Sequence, residues 1–315
     1  MHYRNLGRSG LRVSVVGLGC NNFGRRCDLE QSAAVVNRAL ELGITLLDTA
    51  DVYGGDGRSE EYLGKILQGR RHEVVLATKF GMKMGEGPLP KQGGSRKYIM
   101  QAVEDSLRRL NTDYIDLYQM HTPDPRTPIE ETLRALDDLV AQGKVRYIGN
   151  SNFAGWQVAE AHFVAEREHR APFIAAQNEY SLLNRGIEQE LVPAAQKYGL
   201  SILPYFPLAS GFLTGKYRKG EANPEGARLS GPAAAPMADR IMTERNWGVV
   251  EKLDGFCQAR GKGLTELAIG WLASKPYVGS VIAGATRPEQ VEQNAACGDW
   301  TLTPEEMAEV DSLAR

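Results

Sequence analysis

Four side chains stand out for the chemistry they could do together: Asp48, Tyr53, Lys79 and His121. A tyrosine phenol ionises near pH ~10, so it exchanges a proton with a substrate near neutrality only when its phenolate is stabilised. A lysine ammonium beside it supplies that stabilisation and is expected to lower the phenol's pKa. A carboxylate beside the lysine keeps the ammonium charged and oriented. A histidine can hydrogen-bond the same substrate oxygen. The set therefore suits protonation of an oxygen that develops alkoxide character. Singly, each residue has an ordinary structural role: Asp48 and the nearby Asp51 as turn caps, Lys79 as a rim charge, His121 as a core histidine, Tyr53 as a loop aromatic. Their positions make the combination informative, because Asp48, Lys79 and His121 close three successive apolar runs.

Those runs define the elements that must carry the chemistry. Strands are expected over 15–18, 44–48, 74–78, 115–120, 145–149, 173–177, 201–204 and 279–282. Helices are expected over 31–42, 59–67, 97–110, 128–141, 154–168, 187–198, 264–274 and 287–296. Continuous apolar strands joined by helical crossovers imply a parallel sheet covered by helices, and eight such units imply a closed (β/α)8 TIM barrel. In that architecture the C-terminal ends of the strands form the working face. Residues 3–13 read as a β-hairpin ahead of the barrel. Further helices are expected over 243–260, before the last barrel unit, and 303–314, after it; Thr303-Pro-Glu-Glu supplies a cap, a first-turn proline and first-turn acids. Residues 216–240 read as a long exposed loop. No linker divides residues 1–315, so a single domain is expected. A doubly wound open sheet is the structural alternative. It needs a glycine-rich fingerprint after the first strand, and Val16-Gly-Leu-Gly-Cys-Asn-Asn-Phe-Gly lacks the third glycine at the required offset.

Composition excludes several classes. The 315-residue chain is 42% hydrophobic and 24% charged, with 37 Lys plus Arg against 39 Asp plus Glu, a formal charge of −2. That balance gives no basis for a nucleic-acid or anionic-membrane partner. No apolar run approaches a membrane span, and the N-terminus lacks a signal-peptide core. Cys20, Cys27, Cys257 and Cys297 show no disulfide or metal-binding spacing, as in a reducing cytoplasm. No metal site is expected, and nothing in the sequence specifies an oligomeric state.

The motifs Leu47-Asp-Thr-Ala-Asp-Val-Tyr-Gly, Ala77-Thr-Lys-Phe-Gly, Gln119-Met-His-Thr-Pro-Asp, Gly149-Asn-Ser-Asn-Phe, Ala176-Gln-Asn-Glu-Tyr-Ser, Pro204-Tyr-Phe-Pro-Leu-Ala-Ser-Gly, Leu213-Thr-Gly-Lys-Tyr and Gly284-Ala-Thr-Arg-Pro-Glu-Gln-Val-Glu-Gln-Asn follow one another across nearly the whole chain. As a set they resemble the aldo-keto reductase family, in the long-loop bacterial branch related to potassium-channel β-subunit-like reductases. The resemblance implies reduction of an aldehyde or ketone by NADPH, with Asp48, Tyr53, Lys79 and His121 as the catalytic set and Tyr53 as proton donor. It implies that Ser151, Asn152 and Gln177 hold the nicotinamide carboxamide and that Tyr205 stacks on its ring. Pro207, Leu208, Ser210, Gly211 and Leu213 match the segment around the pyrophosphate, with Lys216 and Arg228 as phosphate-binding cations. Gly284, Thr286, Arg287, Gln290, Gln293 and Asn294 match the adenosine end, where Arg287 and Lys216 favour NADP(H). Two departures are Asn150, where a small apolar residue is more usual and an altered pocket floor is expected, and Gln293, which replaces a glutamate. Phe23, Tyr53, Phe80 and His121 are expected to wall a substrate pocket, with specificity set by loops around 20–27, 82–96, 122–127 and 217–240. The partner is then a small carbonyl compound whose identity the sequence does not specify. The alternative reading is a cofactor-bound, redox-sensing regulatory subunit with little turnover.

Overall fold

The computed structural model describes residues 1–86 and 91–315. Strands β1 (Tyr3–Asn5) and β2 (Arg12–Ser14) pair antiparallel as the expected hairpin. Then come β3 (Val16–Gly19), α1 (Leu29–Glu41), β4 (Leu46–Asp48), α2 (Arg58–Ile66), β5 (Val75–Phe80), α3 (Arg96–Leu110), β6 (Ile115–Met120) and α4 (Ile129–Ala141). The chain continues through β7 (Val145–Ser151), α5 (Gly155–Arg167), β8 (Phe173–Glu179), α6 (Leu191–Tyr198) and β9 (Ser201–Tyr205). It ends with α7 (Ala235–Ile241), α8 (Glu244–Gln258), α9 (Leu264–Ala273), β10 (Val281–Gly284), α10 (Pro288–Cys297) and α11 (Pro304–Leu313).

Strands β3 to β10 form one parallel sheet in the order β10-β3-β4-β5-β6-β7-β8-β9. A parallel bridge between Ile202 and Val278 joins its two ends into a barrel, with the Ile202 amide on the Tyr277 carbonyl at 2.8 Å and the Gly279 amide on Ile202 at 3.0 Å. The helices form because their apolar residues recur at helical spacing. In α1, Val35, Val36 and Ala39 are buried against the sheet, and Asp28 and Gln31 close a reciprocal capping box. The expected cap and first-turn proline of α11 are likewise present at Thr303 and Pro304.

The barrel interior is a separate apolar layer. Leu46, Ala77, Leu117, Ala175, Leu203 and Ile282 pack there with Leu6 and Val13 from the hairpin. The hairpin thus plugs the N-terminal end of the barrel. Gly7, at φ +56°, lets the chain pass so close beneath the sheet that a β-carbon would lie 2.3 Å from the Ile174 carbonyl oxygen.

Two expectations need correction. Residues 216–240 are not loop throughout, since Pro232–Ala234 make a 3-10 turn that runs into α7. That helix has seven residues and buries only Ile241, too little to leave a periodic signal. Several strands also run further toward the C-terminal rim than expected: β5 to Phe80, β7 to Ser151, β8 to Glu179 and β9 to Tyr205. In β7 and β8 the added residues, Asn150-Ser151 and Asn178-Glu179, are polar, which masks strand character in the sequence. Part of the 82–96 loop, residues 87–90, lies outside the described residues.

Candidate active site

Side chains of a strand alternate between two faces, so the residue two positions beyond each inner-layer residue shares its face. Counting up from Leu46, Ala77, Leu117, Ala175, Leu203 and Ile282 gives Asp48, Lys79, Gln119, Gln177, Tyr205 and Gly284. The polar site is therefore the next layer of the barrel interior, directly above its apolar floor.

Lys79 is fully buried. Its ammonium donates to Asp48 Oδ2 at 2.7 Å and to the Thr49 carbonyl at 2.8 Å. Gln177 Nε2 donates to the other carboxylate oxygen, Asp48 Oδ1, at 2.8 Å. Gln119 Nε2 lies 3.4 Å from that same atom. Tyr53 reaches in from the β4–α2 loop, with the Lys79 ammonium 5.0 Å from its ring centroid. The His121 ring stands edge-on to it at 5.8 Å. The Asn152 side chain donates to the His121 carbonyl at 2.9 Å and accepts from the Tyr205 hydroxyl at 2.8 Å. The four predicted catalytic residues thus converge, linked to three of the predicted nicotinamide contacts.

The electrostatics refine the chemistry. Burial pushes the Tyr53 phenol above its ordinary pKa, although the Lys79 ammonium pulls it down. The expectation of a lowered phenol pKa is therefore corrected, because desolvation outweighs one cation. Burial also works to lower the Lys79 pKa, but Asp48 and Tyr53 together outweigh it and hold the ammonium above its usual range. His121 is driven down to about 3 by burial and by the Lys79 charge. At neutral pH the site therefore holds a protonated phenol, a charged lysine and a neutral imidazole.

A groove of about 810 Å³ starts at Asp48, Tyr53 and His121. It passes Ser151, Asn152, Gln177 and Tyr205, then Pro207, Leu208, Ser210, Gly211, Lys216 and Arg228, and reaches Gly284, Thr286, Arg287, Gln290, Gln293 and Asn294. Of the predicted cofactor residues only Leu213 is missing from its walls; it is fully buried in the core. Phe206, Ala209 and Ser210 have positive φ of 53°, 44° and 58° although none is glycine. Such strain is retained where surrounding structure imposes it, often at binding segments. Burial, Arg26 and Arg287 lower the Lys216 pKa, and burial, Arg26 and Arg25 lower that of Arg228. A gathering of cations that repel one another in a groove suits an anionic ligand. An extended dinucleotide with phosphates in mid-length fits these walls, and the residues named would hold it. Gln290 is partly committed, since its Oε1 accepts from the Thr286 amide at 2.8 Å.

Some predicted site residues fall elsewhere. Phe23 and Phe80 are fully buried and line neither cavity at the rim, because Phe80 points into the sheet–helix layer against Tyr118. Asn150 likewise lies one residue out of phase with Ser151, so it is buried beneath the helices and does not form a pocket floor. Among the described residues neither polar atom of its side chain has a partner. Sequence reasoning missed Gln119, Asn21, Asn22, Arg26, Met82 and Phe206. The strand parity that selects Asp48 and Lys79 would have found Gln119; the others come from loops, which leave no such signal.

The family model described as the aldo/keto reductase family matches residues 15–315. The chain belongs to that family. It is 38% identical over 322 residues to a protein of Oryza sativa subsp. japonica named "Probable voltage-gated potassium channel subunit beta", covering 100% of this chain and 97% of the rice protein. It is 35% identical to the L-glyceraldehyde 3-phosphate reductase of Escherichia coli (strain K12), covering 99% of this chain and 92% of that enzyme. An uncharacterized oxidoreductase of Bacillus subtilis (strain 168) is 38% identical, covering 97% and 93%. The fold, the oxidoreductase character and general carbonyl chemistry follow from membership. Among the described residues no helix is long and apolar enough to cross a membrane.

Proposed function

We propose that the protein is an NADPH-dependent carbonyl reductase with Tyr53 as the general acid. The observation that carries this reading is the buried Lys79–Asp48 pair, 2.7 Å apart, beneath Tyr53 and next to a neutral His121. When bound, the cofactor supplies the hydride that adds to the carbonyl carbon. Tyr53 holds its proton until negative charge grows on the substrate oxygen and then transfers it there. The Lys79 ammonium stabilises the phenolate this leaves, and Asp48 and the Thr49 carbonyl keep that ammonium in place. His121 is uncharged, so it can orient the carbonyl through an N–H without competing as an acid. Lys216, Arg228 and Arg287 would hold the cofactor's phosphates, and Arg287 at the exposed far end supports a preference for the 2′-phosphate. Four free thiols support a cytoplasmic setting.

The test is NADPH consumption with a panel of aldehydes and ketones, in wild type and Tyr53→Phe. Loss of the general acid should lower kcat by about 100-fold or more. Equal rates in both proteins would remove Tyr53 from the mechanism. Absence of turnover in wild type would leave the regulatory-subunit reading.

A further inference from the structure

A second cavity, of about 500 Å³, meets the first at Asn21 and Tyr53 and is otherwise lined by Arg25, Val52, Gly54 and Gly55. None of the predicted cofactor residues borders it. Arg25 is exposed in the loop after β3 and forms no ion pair among the described residues. Among the described residues no carboxylate lines this cavity. Gly54 and Gly55, at φ +78° and +76°, carry backbone amides with no acceptor among the described residues. Arg25 also lies close enough to Arg26 and Arg228 to share their field, since both arginines depress the Arg228 pKa after burial does. A small cavity whose wall carries a free guanidinium and which opens onto the proton donor suits an anion attached to the reacting carbonyl.

Resting on the reductase reading above, we propose that the substrates are short aldehydes or ketones bearing a carboxylate or phosphate, and that Arg25 selects them by pairing with that group. Arg25 is a specificity residue here, since it lies in the substrate cavity and not among the groups that stabilise Tyr53. A planar guanidinium accepts either anion in a bidentate arrangement. A cavity of this size holds a chain of a few carbons between the carbonyl and the charge.

The test compares matched pairs: succinic semialdehyde against butanal for carboxylate, and glyceraldehyde 3-phosphate against glyceraldehyde for phosphate. Wild type should prefer the charged member of at least one pair in kcat/KM. Arg25→Gln should lower that charged-over-neutral ratio by roughly 10- to 100-fold, the range of one charge-assisted hydrogen bond. Arg25→Glu should invert it, and higher salt should weaken the wild-type preference. A ratio that is near one in wild type, or unchanged in Arg25→Gln, overturns the proposal while leaving the reductase reading intact. Thermal-shift titration with succinic semialdehyde and butanal reads the same cavity without turnover. Stabilisation by the acid that is lost in Arg25→Gln supports the subsite, and equal response of the two proteins overturns it even if reduction is never observed.

Discussion

His121 shows how a single residue's surroundings decide its chemistry. In an unfolded chain its imidazole titrates near pH ~6.5; in the fold, burial and Lys79 bring it to about 3. Its folded pKa is depressed, so the unfolded chain binds the proton more readily as pH falls. The stability contributed by neutral His121 is therefore complete above the unfolded pKa and lost progressively between about pH 6.5 and pH 3. Lowering pH from 7 to 5 should cost about 2 kcal/mol through this residue. Urea titrations at the two pH values should show that loss in wild type and a correspondingly smaller one in His121→Gln. The same two proteins separate the neutral imidazole's role from a cationic one. If activity and stability fall together at pH 5 in both, His121 is not the group responsible.

At the scale of elements, the site is a consequence of strand parity. The residue that ends the apolar part of each strand is followed, two positions on, by one that projects into the same interior. The barrel therefore assembles Asp48, Lys79, Gln119, Gln177 and Tyr205 from five strands without any motif linking them along the chain. The far end of the groove, proposed for the cofactor's adenosine, depends on α10 instead, whose N-cap Arg287 and first residue Pro288 bring Thr286 and Gln290 to the groove. Arg287 is exposed and only loosely held by Glu289 at 3.6 Å, so it is available for an anion. Arg287→Ala should weaken NADPH by about 10-fold and leave NADH within about twofold, as read by fluorescence titration. Equal weakening of the two cofactors would place Arg287 outside the 2′-phosphate site.

For the whole molecule, the β1–β2 hairpin covers one end of the barrel with Leu6 and Val13, while the groove opens at the other end. Leu6 is fully buried in the inner layer beneath the site. The Arg4 guanidinium also ties the hairpin to the Lys275 and Val278 carbonyls, at 3.0 and 2.9 Å. Leu6→Ala should cost about 2–4 kcal/mol in urea denaturation through lost burial and the cavity left behind. The apolar floor separates Leu6 from the reacting groups, so kcat should stay within about twofold. A large fall in kcat at full folding would mean that the plug also holds the site in shape.

Much of this molecule is legible in one dimension. Apolar runs alternating with helical periodicity specify a parallel barrel, because both signals are local and repeat eight times. The four reactive side chains are readable for a related reason: each closes a run or follows one closely. Tertiary structure decided what depends on direction and on water. It placed Phe80 and Asn150 inside the core and away from the pocket, since a one-residue change of phase moves a strand side chain to the opposite face, and it buried Phe23 and Leu213 through the folding of the segments after β3 and β9. It raised the Tyr53 pKa where a neighbouring lysine alone implied a fall, since desolvation depends on everything packed around the hydroxyl. It also brought Arg25 to a cavity beside Tyr53, although they lie on different loops, since the parallel pairing of β3 with β4 sets the loops after them side by side.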